Sequence, residues 1–160
     1  MKTINLLPHR FKKFGWMLFL PGLVLGIIYL ASDYFEPSFL DTTAPAIIND
    51  SLDGIAFFEW VENNLIDELI SVLLITGGCI IVFSREAEED EFIARIRLES
   101  LLWATFVNYA ILALVVVSVY GVAFFTVMSI NMFTVLLFFI IRFHWVLYKS
   151  KQALQHEESY

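Results

Sequence analysis

The chain has 160 residues, 59% of them hydrophobic, with 10 bases, 17 acids and a formal net charge of −7. Soluble globular domains run nearer ~45–50% apolar, and here the charges fall in clusters with long uncharged gaps between them. That excludes a soluble enzyme, a disordered tail and a disulfide scaffold, and leaves a polytopic membrane protein.

The N-terminal stretch INLLPHRFKKFGW mixes bases with Leu6, Leu7, Phe11 and Trp16. It reads as a positive flank anchored by an interfacial aromatic, with an amphipathic foot on anionic lipid as the alternative. The first span follows at about 14–32. It is longer than the ~7–15 apolar residues of a signal peptide, and bulky Tyr29 stands where a cleavage site wants a small residue, so a retained span is expected. Pro21 predicts a bend. Gly22 and Gly26 have the spacing that lets membrane helices approach closely, as internal packing or as a dimer seam.

The loop 33–64 contains no base and carries Asp33, Glu36, Asp41, Asp50, Asp53, Glu59 and Glu62. Pro37 and Pro45 make its first half irregular. The second half, SLDGIAFFEWVENN, predicts a short interfacial helix with Phe57, Phe58 and Trp60 toward lipid or the bundle. Its acids read as a solvated loop. Cation binding is the alternative, without any EF-hand spacing to support it. The second span covers about 65–83, opened by Asn63-Asn64 and Asp67-Glu68 in the pattern of a capping box. A cation or proton mouth is the competing role for those acids. Gly77 and Gly78 mark a close-packing spot, and Cys79, the single cysteine, reads as a small buried residue.

The inner helical loop, 84–100, places Glu91, Arg95 and Glu99 four residues apart on one helical face. It is expected to run on into the third span. Its charges either stitch a connector or offer a docking surface to a protein partner. The run Leu101–Ile141 has 41 residues without an acid or base, enough for two spans of about 20, at about 101–120 and 124–141, turning near Gly121. In such a hairpin Glu99 meets Arg142 at one edge, directly or through a water. Asn108 meets Asn131 inside the bilayer, as an interhelical tie or as part of a polar site.

All ten bases flank the first span, separate the second and third, or follow the fourth. The positive-inside rule then puts both termini in the cytoplasm and 33–64 outside. The predicted fold is an all-α four-helix transmembrane bundle in one domain, N-in and C-in.

The stretch Glu89–Tyr109, EDEFIxxIRLESLxWAxxVNY, together with NMFT at Asn131–Thr134 and IRF at Ile141–Phe143, resembles a group of small bacterial four-span inner-membrane proteins with no assigned activity. The resemblance covers roughly the C-terminal half. It implies a topology rather than a function, and it implies that Glu99, Asn108 and Arg142 belong to one motif.

No nucleophile–base pair is selected by spacing, although Ser84, Ser100 and His144 fall near one level, so no enzyme is expected. His9, His144 and His156 are far apart, so no metal or other cofactor is expected. An acidic chain without a basic patch is not expected to bind nucleic acid. The partners expected are the lipid bilayer, a protein at the inner loop and further copies of the chain in a homo-oligomer. The functional expectation is a non-enzymatic regulatory, anchoring or assembly subunit of a bacterial inner membrane. A small oligomeric transporter or channel is the alternative.

Overall fold

The computed structural model describes residues 6–32, 34, 36–51, 54–87 and 90–157, without the side chains of 51 and 154–157. Lys2, Asp33, Asp53, Glu89 and the side chain of His156 lie outside the described set. Four helices form: α1 (His9–Ala31), α2 (Ile66–Phe83), α3 (Glu91–Ser118) and α4 (Val122–Glu157). All four are long and apolar enough to cross a membrane, so the chain is a multi-pass membrane protein.

The helices of 23, 18, 28 and 36 residues measure about 35, 27, 42 and 54 Å at 1.5 Å per residue. α2 just matches the ~30 Å hydrocarbon layer. α3 and α4 exceed it because part of the 84–100 segment and the C-terminal segment continue the same helices. α3 begins where Asp90 Oδ1 accepts from Ile93 N at 2.8 Å, satisfying one of the free amides of the first turn. The α3–α4 turn uses Gly121 at φ +74°, a left-handed conformation that glycine adopts without penalty.

The segment between α1 and α2 corrects the expected interfacial helix. After a 3-10 turn at Ser38–Leu40, β1 (Asp41–Ser51) and β2 (Gly54–Asn64) form an antiparallel hairpin. Asp53-Gly54 is a hairpin signal, and Ile55, Phe57, Phe58, Trp60 and Val61 are strand formers. Gly54 takes φ +122°, so it closes a turn where a helix would have needed it mid-segment. The register pairs Ile48 with Phe57 and Pro45 with Trp60. These pairs fall on opposite faces, and both faces stay exposed, Trp60 at 70%.

Asn64 knots the hairpin to α2. Its Nδ2 donates to Pro37 O at 2.9 Å and to Asp41 Oδ1 at 2.5 Å, and its Oδ1 accepts from Ile66 N at 3.2 Å. Leu65, not an asparagine, occupies the N-cap position. The capping is displaced because Asn64 already ends β2.

The helices pack chiefly as two pairs, α1–α2 and α3–α4, joined by α2–α4 contacts. The shared core includes Phe19, Leu74, Ile81, Ala104, Phe139 and Phe143. In the first pair the backbones nearly touch. A Cβ built on Gly77 would stand 2.6 Å from Phe19 N, and one on Gly22 2.9 Å from Leu73 Cβ. Gly26 is roomier, with Ile70 Cγ2 3.4 Å away.

Candidate functional site

The first residues of α1, the end of α2, the start of α3 and the last turns of α4 converge at one end of the bundle, here the basic end. Leu7 N donates to Phe83 O at 2.8 Å and Arg85 N to Leu7 O at 2.9 Å. The N-terminal segment is thereby stitched to the chain leaving α2. His9 Nδ1 lies 3.0 Å from Arg85 O, and Lys12 forms an ion pair with Glu86. Arg97 reaches back from α3 and donates from Nη1 to Val82 O and Ser84 O, both at 2.9 Å. Those carbonyls sit at the end of α2, where the helix leaves acceptors unfilled and favours positive charge.

Aromatic rings face two of the guanidinium groups at this level. The Arg97 guanidinium carbon lies 5.2 Å from the Phe143 ring centre, and that of Arg142 lies 4.7 Å from the Trp103 ring centre. Cation–π contacts of this kind stabilise by ~0.5–2 kcal/mol. The neighbourhood expected to join Arg142 to Glu99 therefore has a different occupant. Among the described residues no ion pair links them, and Glu99 is exposed. Trp103 stands one helical turn from Glu99, so the ring takes the guanidinium while the carboxylate stays toward water.

His144 donates from Nδ1 to Ile140 O at 2.8 Å, with its ring edge-on to Trp16 and Phe143. Ser84 donates to Ile80 O at 2.5 Å. The buried Ser100 Oγ has no hydrogen-bond partner among the described residues. Among the described residues no hydrogen bond joins either serine to His144.

Glu91, Arg95 and Glu99 lie along one face of α3, all exposed and in no ion pair among the described residues. The expected stitching along the helix is absent there. The opposite face buries Ile96, Ser100 and Ala104. Phe92 (53% exposed) and Leu98 (55%) border the charged stripe.

Deeper in the bundle, Asn131 Nδ2 donates to Asn108 Oδ1 at 3.2 Å and Asn108 Nδ2 to Asn131 Oδ1 at 3.5 Å. Asn108 is 3% exposed. Thr134 also donates to Asn108 Oδ1 and to Asn131 O, the latter at 2.9 Å. Thr134 escaped the sequence reading, although its place three residues after Asn131 puts it on the same helical face. Lys12–Glu86 and the Arg97 cap had no local signal. Comparison of this chain with protein families, with characterised proteins and with solved structures gives no match.

Proposed function

We propose that this chain is a non-enzymatic protein of a bacterial inner membrane, with both termini in the cytoplasm, that holds a partner protein against the basic end of its bundle. The distribution of bases about the spans supports the orientation. The uncommitted stripe Glu91–Arg95–Glu99, flanked by Phe92 and Leu98 on the projecting start of α3, carries the docking reading. Three nearby cations are engaged elsewhere: Lys12 on Glu86, Arg97 on the end of α2 and Arg142 on Trp103. A stripe of alternating sign bordered by apolar side chains supplies both the anchor and the orientation that a protein interface uses.

A photo-crosslinking residue at position 91, 95 or 99, activated in native membranes, tests this. One discrete protein adduct is expected from those sites and none from position 60 at the other end. Arg95→Glu should abolish the adduct without lowering the melting temperature. Adducts to lipid alone, or an adduct indifferent to Arg95→Glu, would reject the reading. A C-terminal reporter active only on the far side of the membrane would overturn the orientation separately.

A further inference from the structure

The far end of the bundle holds a different feature. Between the α1–α2 pair and the start of α4 lies a cavity of about 550 Å³, within the ~300–1,000 Å³ range of small-molecule sites. Leu23, Ile70, Leu74 and Phe133 give it an apolar wall, while Tyr29 and Asp67 bring polar atoms to it. Tyr34, also in the lining, sets its ring edge-on to Tyr29 with 5.2 Å between centres. Its backbone N–H donates to Tyr29 O at 2.9 Å.

The electrostatics of this mouth have one sign. Asp67 lines the cavity beside Tyr29 and Tyr34, and Glu36 and Glu68 flank these residues in the chain. Among the described residues no base lines the cavity, and none occurs in the sequence between Lys13 and Arg85. Aromatic faces attract cations by their quadrupoles, most strongly where water is scarce. A carboxylate adds a full opposite charge, worth more at the rim of an apolar wall than in bulk water. The apolar wall favours a ligand that brings its own hydrocarbon surface.

We propose that this cavity binds lipophilic organic cations, an ammonium or phosphonium centre bearing aromatic or alkyl groups, with the charge beside Asp67 and the tyrosine pair and the hydrocarbon against Leu74 and Phe133. The site lies at the opposite end from the docking stripe and stands independently of it.

The test uses the full chain in nanodiscs of zwitterionic lipid, with tetraphenylphosphonium as the probe. Tetraphenylborate is its anionic twin in shape, and protein-free discs correct for partition into lipid. Saturable binding of the cation is expected, with the anion at least tenfold weaker. Asp67→Asn should weaken cation binding about tenfold or more, and Ser129→Trp, which fills the cavity from the α4 side, should abolish it. Equal uptake of cation and anion would overturn the proposal and leave a lipid chain as the occupant. So would an Asp67→Asn affinity equal to that of the parent, or a Ser129→Trp protein that melts normally and still binds.

Discussion

The two helix pairs of this bundle are held together in different ways. α1 and α2 meet through glycines that bring backbone to backbone, Gly77 against Phe19 and Gly22 against Leu73. α3 and α4 are tied by side chains, Asn108 to Asn131 with Thr134 as a third member. Lipid tails are as apolar as a leucine side chain, so burying hydrocarbon does little to drive helices together in a membrane. Close packing and interhelical hydrogen bonds remain, and each pair relies mainly on one of them. The first is intolerant of added volume. The second depends on polar partners, so removing one costs a hydrogen bond rather than creating a clash.

The largest effect should come from the glycine seam. Gly77→Ala places a methyl 2.6 Å from a backbone nitrogen of α1. No rotamer change relieves that, and overpacking of this kind costs about 3 kcal/mol. Gly26→Ala, on the α1 side of the same seam, meets only ordinary contact with Ile70 and should change stability by less than ~0.5 kcal/mol. Reversible unfolding in mixed micelles compares the two. Equal melting of both variants would show that backbone approach is not what holds this pair.

Next in size is the clamp at the basic end. The Lys12 and Glu86 side chains are 12% and 10% exposed, so removing Lys12 takes an opposite charge away from a poorly solvated carboxylate. Lys12→Met should cost about 1–3 kcal/mol and speed hydrogen exchange at the amides of Leu7 and Arg85, which carry the adjoining bonds. The double variant Lys12→Met/Glu86→Leu should recover much of that loss. Exchange unchanged in Lys12→Met would mean that the backbone bridge alone holds the N-terminal segment.

The smallest effect belongs to the amide tie. Interhelical hydrogen bonds in membranes contribute ~0.6–2 kcal/mol. Asn131→Leu should cost about 1 kcal/mol, since Thr134 still donates to Asn108. In a double-mutant cycle with Asn108→Leu the two positions should couple by at least ~0.5 kcal/mol. Strict additivity would reduce the tie to coincidence of depth.

Much of the architecture was written in local pattern. Four apolar segments of spanning length, the turn at Gly121 and the common depth of Asn108 and Asn131 all follow from helical rise and from the absence of charge across Leu101–Ile141. These are one-dimensional constraints, since lipid obliges a spanning segment to satisfy its own backbone as helix. Aromatic residues at irregular spacing suit an interfacial helix as well as a strand, so local pattern alone does not select the hairpin. Pairing between Asp41–Ser51 and Gly54–Asn64 decided the matter, with Asp53-Gly54 the overlooked signal.

Which charges find partners is a different kind of question. Arg142 over Trp103, Arg97 on the end of α2, Lys12 on Glu86 and the cavity beside Asp67 depend on how whole helices dock. A side chain reaches only a few ångströms, so its partner is whatever a distant segment delivers. The alternation of polar and apolar residues says which elements enter the bilayer. Only their packing selects the neighbours, because that selection turns on volumes and distances between segments far apart in the chain.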